Sequence, residues 1–132
     1  MKVLVTGHKG FIGSHVYDYF KNALDCEVDG IDLPDDIGDF KGPKGIFARH
    51  YDVVIHLAAF AALRDSIENP DKFWENNVEK SKPIFDYCRK NDVRLLYASS
   101  AGAYGWWMNP YAITKKVNEV QAPPNSLSLI HI

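Results

Sequence analysis

The feature that most constrains the fold is a set of three glycines between a short apolar run and a helical pattern: Gly7, Gly10 and Gly13. The run, Lys2 to Thr6, is rich in β-branched residues, and apolar side chains follow the glycines at helical spacing. This order predicts a strand, a tight turn and a helix. Such a turn favours a pyrophosphate, because glycine lets the backbone come close and a helix N-terminus attracts anions.

Asp32 stands at the end of the next apolar run, Glu27 to Ile31. A carboxylate in this place can accept hydrogen bonds from both hydroxyls of an adenosine ribose. It also repels a 2′-phosphate, and no arginine stands in the loop after Asp32, so the sequence favours NAD over NADP. The residues alone leave open an ordinary flexible turn and a surface carboxylate.

Apolar runs and helical patterns alternate along the rest of the chain. Residues 53–59 and 93–98 are nearly continuous apolar runs, which is typical of strands covered on both faces. Helices are predicted over 71–90, with a kink at Pro83, and over 111–121, while 34–51 is predicted to be loop with one helical turn. Seven residues are candidates for the inward side of the first of these helices: Phe73, Trp74, Asn77, Val78, Ile84, Phe85 and Cys88.

This alternation predicts an α/β fold, a doubly wound parallel sheet of the Rossmann type. Ligands of such sheets bind beyond the carboxyl ends of the strands.

Tyr111 and Lys115 are four positions apart in a predicted helix and therefore share one face. An ammonium group near a phenol favours a tyrosinate, which can exchange a proton with a substrate hydroxyl near neutral pH. The preceding strand runs into Ser99 and Ser100 at the edge where a cofactor is expected, and a serine there can hold a substrate hydroxyl. An exposed helix pair without a catalytic role is the alternative for Tyr111 and Lys115.

Length and composition set the remaining limits. With 132 residues, 46% of them hydrophobic, the chain is expected to form one soluble globular domain. Its 15 basic and 17 acidic residues are spread evenly, which predicts neither a nucleic acid nor a membrane partner. Cys26 and Cys88 lack the spacing of a metal site, and the first apolar run is too short for a signal peptide, so no metal and a cytoplasmic location are expected.

Taken together, the motifs resemble those of the extended short-chain dehydrogenase/reductases, the group of sugar-nucleotide epimerases and dehydratases. The resemblance covers most of residues 1 to 121, with its segments in the family's order. These segments are Thr6–His15, Asp32, His56–Ala59, Asn76–Val78, Ser99–Ser100 with Tyr104–Gly105, and Pro110–Lys115.

The resemblance implies roles for residues in most of these segments. It implies that NAD is the cofactor and that a nucleotide-diphosphate sugar is the substrate. Asp32 would hold the adenosine ribose, Asn77 would support the helix geometry near the active site, and Asp36 and Ile37 would approach the adenine. The residues implied to line the pyrophosphate are Gly7, Gly10, Phe11, Ile12 and Gly13. Those implied to lie beside the cofactor at the strand ends are Leu57, Ala58, Ala59 and Ser99.

The resemblance also implies the catalytic residues. Ser100 falls on the family's catalytic serine or threonine, Tyr111 on its acid/base, and Lys115 on the lysine that binds the nicotinamide ribose and favours the tyrosinate. An NAD-dependent epimerase or dehydratase is therefore expected. A non-catalytic dinucleotide-binding module and an NAD(P)H-dependent reductase are the alternatives, and a homodimer is a possible state of a longer parent protein.

Three departures from the family pattern bear on these expectations. The interval from Asp32 to Asp52 is short, so a strand and a helix of the nucleotide half are expected to be reduced or missing. The interval from Tyr104 to Tyr111 is also short, which removes a loop that normally reaches toward the sugar. Ala61 replaces a lysine that contacts the cofactor in several family members.

The C-terminal end carries a separate expectation. The family's substrate domain has no counterpart in the sequence, so residues 1–126 are expected to form an NAD-binding domain from a longer protein. Residues 127–132 resemble one reading frame of a transposon-end adapter used to prepare DNA for sequencing, which predicts a non-native tail. An ordinary strand is the alternative, because alternating leucine, serine and isoleucine suit a strand.

Overall fold

In the computed structural model, residues 1–32 and 45–129 are described, and their strands form one parallel sheet. The strand order is β2-β1-β3-β4-β5, so the chain winds outward in both directions from β1. The strands are β1 (Lys2–Thr6), β2 (Glu27–Ile31), β3 (Val53–His56), β4 (Arg94–Tyr97) and β5 (Ser126–Ser128). The doubly wound α/β prediction is confirmed.

Helices connect the strands. The α-helices are α1 (Phe11–Asp18), α2 (Leu63–Glu68), α3 (Pro70–Trp74), α4 (Lys82–Asn91) and α5 (Pro110–Gln121). Two segments with π-helical hydrogen bonding, Tyr19–Ala23 and Glu75–Glu79, extend α1 and α3. Two 3-10 segments, Ile46–Ala48 and Ala101–Met108, complete the described helical structure.

The core lies on both faces of the sheet because side chains of β1 alternate. Leu4 points to one face, where the strands pack against Ile84, Phe85 and Cys88 of α4. Val3 and Val5 point to the other face, where they meet side chains of α1 and its π-helical extension. Helices on both faces explain the nearly continuous apolar strands of the sequence.

The sequence predicted most element positions but not all. Pro83 lies in the first turn of α4, and the predicted long helix is interrupted just before it. β3 ends at His56 rather than at Ala59, because the next amides turn toward the Thr6 side chain. The inward position predicted for Trp74 is wrong: the residue is 42% exposed and its Nε1 donates to Glu79, since the adjacent Phe73 takes the inward position.

All five strands end in register at one edge. The ladders pair Thr6 with Ile31 and with His56, His56 with Tyr97, and Tyr97 with Ser128. The residues that follow these strand ends are therefore brought to a common carboxyl edge, where parallel sheets bind ligands.

Toward the opposite edge, a partly exposed network holds β2 to the segment before β3. The Asp29 carboxylate accepts hydrogen bonds from the Tyr51 hydroxyl at 2.6 Å and from Arg49 Nη1 at 3.0 Å. Burial by itself raises the pKa of Asp29, but the hydrogen bonds from Tyr51 and Arg49 and the charges of Arg49 and Lys2 outweigh it and hold this pKa below its usual value.

This depressed pKa predicts a pH-dependent stability. Asp29→Asn should lower the free energy of unfolding by about 1 to 2 kcal/mol near neutral pH. The loss should be complete above the unfolded-state pKa of about 3.9 and should vanish as the pH falls through the lower folded-state pKa. Urea unfolding of both proteins between pH 2 and pH 7 measures the gap, with the exposed Asp18→Asn as control. A gap that stays constant over this range would refute the role of the ionised carboxylate.

Candidate active site

The glycine turn after β1 is held by backbone contacts that exclude larger residues. Gly7 has a φ of +74° and donates its amide to Ile31 O at 2.7 Å. A Cβ on Gly7 would lie 2.8 Å from the Ala58 amide nitrogen, and one on Gly13 would lie 1.9 Å from the Gly7 carbonyl oxygen. The first turn of α1 therefore packs directly on the loop, as the spacing of the glycines predicts.

The N-terminus of α1 opens toward solvent beside this turn. Gly10 is its N-cap, while Phe11 and Ile12 in the first turn are both strongly exposed. Asp32 follows β2 directly, and its Oδ2 accepts a hydrogen bond from the Lys9 amide at 2.7 Å. The carboxylate predicted to bind ribose thus also fixes the glycine turn, a contact that the sequence does not reveal. Asp36 and Ile37 lie outside the described residues.

The segment that follows β3, Leu57 to Ala59, lies beside the glycine turn. The amides of Leu57 and Ala58 donate to the Thr6 hydroxyl at 3.2 and 3.1 Å, so the end of β1 holds the end of β3. Ala59 continues this segment with a partly buried side chain. The strand end predicted to lie beside a cofactor is therefore fixed to the glycine turn.

Asn77 connects this strand end with α5. It is fully buried in the π-helical segment Glu75–Glu79. Its side chain accepts from the Phe60 amide at 2.8 Å and donates to Phe60 O at 2.9 Å and to Thr114 Oγ1 at 3.2 Å. Asn77 thus joins the loop after β3 to the helix that carries Tyr111. These contacts are consistent with the supporting role that the resemblance implies for Asn77.

Local signals explain why α5 begins where it does. Asn109 is its N-cap and accepts a hydrogen bond from the Ala112 amide at 2.8 Å, while Pro110 occupies the first helical position. The Tyr111 amide, one of the orphan donors of the first turn, donates to Ser66 Oγ at 3.2 Å. Helix α2, which supplies Ser66, therefore anchors the backbone at Tyr111.

Lys115 is a buried cation next to Tyr111. Its side chain is almost completely buried, its Nζ donates to Ala98 O at 3.0 Å, and the same nitrogen lies 5.9 Å from the centre of the Tyr111 ring. Burial lowers the pKa of Lys115 to about 8. The predicted tyrosine and lysine therefore form a pair at the carboxyl edge, next to the end of β4.

The two serines after β4 have different surroundings. Ser99 donates its hydroxyl to Glu119 Oε1 on α5 at 2.6 Å. Ser100 is the N-cap of the 3-10 segment Ala101–Met108, and its Oγ accepts from the Gly102 amide at 3.2 Å. The segment after Ser100 also exposes three large apolar side chains that sequence reasoning did not single out: Trp106, Trp107 and Met108.

Sequence reasoning also missed four supporting residues of the site: Thr6, Ser66, Thr114 and Glu119. Each acts through a contact with a residue distant in the sequence or through the backbone of a predicted site residue. Thr6 and Thr114 lie within motifs that the sequence showed, but neither motif indicated their supporting contacts.

Residues 1–32 and 45–129 contain no group of three or more histidine, cysteine, aspartate or glutamate side chains placed to bind a metal ion. Among the helices in those same ranges, none combines the length and the apolar character needed to cross a membrane.

Similar curated proteins are sugar-nucleotide enzymes. The ADP-L-glycero-D-manno-heptose-6-epimerase of Cupriavidus pinatubonensis is 34% identical over 127 residues, covering 80% of this chain and 37% of that protein. The dTDP-D-glucose 4,6-dehydratase of Dictyostelium discoideum is 32% identical over 129 residues, covering 79% of this chain and 30% of that protein. The chain thus spans about a third of the length of these relatives.

A solved structure shows the same fold. The UDP-glucose-4-epimerase from Stenotrophomonas maltophila, determined with bound NAD and formylated UDP-arabinopyranose, superposes with a TM-score of 0.80 at 25% identity. The superposition covers 91% of this chain and 47% of that one. The model of the NAD dependent epimerase/dehydratase family matches residues 3–127, nearly the whole sequence. With its parallel sheet, glycine turn and Tyr111–Lys115 pair, the chain belongs to the NAD-dependent epimerase/dehydratase family of the short-chain dehydrogenase/reductases.

Proposed function

We propose that this domain binds NAD and provides the acid/base residues for epimerisation or dehydration of a nucleotide-diphosphate sugar. The observation that carries the proposal is the pair formed by the buried Lys115 ammonium and the Tyr111 ring at the carboxyl edge. A buried cation is costly unless it is paired with an opposite charge, and the group that holds Lys115 Nζ is a neutral carbonyl, Ala98 O. Its position suits a reaction in which Tyr111 gains and loses negative charge.

The residues present fit a dinucleotide. Gly10, the N-cap of α1, has no side chain, and the first amides of that helix are orphan donors suited to a pyrophosphate. Asp32 lies at the end of β2, where its carboxylate accepts a hydrogen bond from the Lys9 amide, and a carboxylate in this place suits the hydroxyls of an adenosine ribose. When bound there, NAD supplies the hydride acceptor for a sugar carbon.

The chain's own residues carry the proton and hold the substrate. Tyr111 removes the proton from the sugar hydroxyl whose carbon is oxidised, and Ser100 hydrogen-bonds and orients that hydroxyl. Lys115 stabilises the phenolate by its charge and remains close to it because Ala98 O holds its Nζ. Asn77 and Ser66 keep the first turn of α5 in place, so Tyr111 approaches the substrate without further rearrangement.

The names of the relatives support the proposed substrate class. A UDP-glucose-4-epimerase and a dTDP-D-glucose 4,6-dehydratase both act on nucleotide-diphosphate sugars, as their names state. The test uses a two-domain enzyme in which residues 1–126 are joined to the C-terminal half of a family member. Conversion of a UDP-, GDP- or dTDP-sugar by this enzyme supports the proposal. NAD binding by the chain without any conversion indicates a dinucleotide-binding module, and net consumption of NADH or NADPH indicates a reductase. A homodimer remains a prediction for this two-domain form.

Asp32 is expected to select NAD over NADP. Asp32→Ala should weaken NAD binding by about 2 kcal/mol, or roughly 30-fold, which is the scale of charge-assisted hydrogen bonds. Calorimetric titration of the chain with NAD and with NADP measures both affinities. Asp32→Asn is the matched control, because its amide oxygen still accepts from the Lys9 amide and only the charge is lost. Equal or tighter binding of NADP by the unmodified chain would contradict this assignment.

A further inference from the structure

A buried chain of hydrogen bonds connects the glycine turn with α5 through two residues that the proposed mechanism does not use, His56 and Ser81. The Thr6 hydroxyl lies 2.7 Å from His56 Nδ1, and His56 Nε2 lies 2.8 Å from Ser81 Oγ. Ser81 Oγ in turn lies 2.8 Å from the Asn77 carbonyl oxygen. All four residues are at most 5% exposed.

The direction of each hydrogen bond follows from the groups at the two ends of the network. The amides of Leu57 and Ala58 can only donate to Thr6 Oγ1, so the Thr6 hydroxyl proton is left for His56 Nδ1. At the other end the Asn77 carbonyl can only accept, so Ser81 donates to it and accepts from His56 Nε2–H. His56 is therefore the neutral Nε2–H tautomer. A neutral imidazole agrees with the pKa of His56, which burial, and after it the charge of Lys115, lower to about 3.

One end of this hydrogen-bond network reaches the proposed cofactor position, and the other end reaches the proposed acid/base position. At one end the Ala58 amide packs against Gly7, where a Cβ would come within 2.8 Å of its nitrogen. At the other end the Asn77 side chain donates to Thr114 Oγ1, and Thr114 donates to Tyr111 O at 2.7 Å. Hydrogen bonds, joined through the covalent structure of Asn77, thus run from Thr6 at the start of the glycine turn to the Tyr111 backbone.

We propose that His56 and Ser81 are positioning residues that set the separation between the glycine turn and the helix carrying Tyr111 and Lys115. The inference rests on the proposed function, because the separation matters to a ligand that spans both parts. NAD spans them through its pyrophosphate and its nicotinamide ribose, whereas ADP occupies only the part at the glycine turn. Satisfied buried networks of this kind fix one arrangement because each broken bond leaves a buried group unpaired.

The test compares NAD and ADP binding by the chain. Ser81→Ala, which removes the hydroxyl without adding atoms, should weaken NAD binding about tenfold and ADP binding less than about twofold. Tyr87→Phe is the matched control. It removes another buried hydroxyl, which accepts from the Tyr51 amide at 3.1 Å and donates to Arg49 O at 2.7 Å near the opposite edge. This variant should lower stability and leave the ratio of the two affinities unchanged.

The outcomes separate this inference from the proposed function. Equal losses of NAD and ADP affinity in Ser81→Ala, or no loss of either, would overturn the positioning role. An unmodified chain that binds neither ligand would overturn the proposed function and the inference with it. A second measurement does not depend on a variant: ¹⁵N NMR of the imidazole at pH 7 should show Nε2 protonated and Nδ1 unprotonated. An Nδ1–H tautomer or an imidazolium would overturn the assigned network.

Discussion

Replacement of Tyr111 by phenylalanine is expected to lower kcat of the two-domain enzyme by about 100-fold to 10,000-fold, the usual contribution of a positioned acid/base group. The hydroxyl is the only group lost, and the backbone at this position is held by Ser66 and Thr114 rather than by the phenol. The ring should therefore remain in place beside Lys115. Affinity for NAD should stay within about twofold, because the substitution changes no contact of the glycine turn.

Steady-state rates and calorimetric NAD titration measure the two quantities separately. Tyr104→Phe is the control, since Tyr104 is an exposed tyrosine in the same part of the chain and has no role in the proposed chemistry. Turnover of Tyr111→Phe within a few-fold of the unmodified enzyme would show that another group carries the proton. A parallel loss of NAD affinity would instead indicate that the variant disturbs the fold.

Gly13→Ala is expected to have the second largest effect. The added Cβ would lie 1.9 Å from the Gly7 carbonyl oxygen, and no side chain can move aside to relieve a contact between two backbones. Helix α1 must shift away from the turn, which should cost about 3 kcal/mol of unfolding free energy. The shift also displaces the amides of the first turn, so NAD affinity should fall by at least about tenfold.

Gly10→Ala separates the effect on stability from the effect on NAD binding. A Cβ on Gly10 meets the Gly7 carbonyl oxygen at 3.3 Å, a contact that a small adjustment relieves. This variant should lose less than about 1 kcal/mol of stability while weakening NAD binding, because the methyl group occupies space where a pyrophosphate approaches. Urea unfolding and NAD titration of both variants give the comparison. Unchanged stability in Gly13→Ala would contradict the close packing of α1 on the glycine turn.

The parts of the fold that the sequence predicted are those with strong local signals. The glycine turn, the Asn109–Pro110 start of α5 and the nearly continuous apolar strands each depend on residues close together in the chain. The predicted serine lies in the segment after β4, and the predicted tyrosine and lysine lie in the first two turns of α5, so local patterns place all three near the carboxyl edge. Asp32 belongs to this group through its position after β2.

The remaining features depend on contacts between distant residues. His56 and Ser81 are 25 positions apart and Asn77 and Thr114 are 37 apart, so no local pattern indicates that they meet. Helix α2 has six residues and little amphipathic pattern, and its position becomes clear only from the Ser66 contact with Tyr111. Trp74 and Phe73 are adjacent and cannot both face the core, and tertiary packing chooses between them.

The π-helical segment Glu75–Glu79 has a consequence for how the length of this chain can vary. Such a segment accommodates one extra residue within a helix without changing the angular phase of the turns on either side. A single-residue deletion inside it would keep the side chains on either side of the segment in phase, whereas a deletion elsewhere in the same helix would rotate the later side chains of that helix by about 100°. The deletion would, however, remove the widened turn that lets Asn77 reach both Phe60 and Thr114. Packing of the helix and placement of Asn77 are thus separable, and insertions or deletions at this turn alter the second without the first.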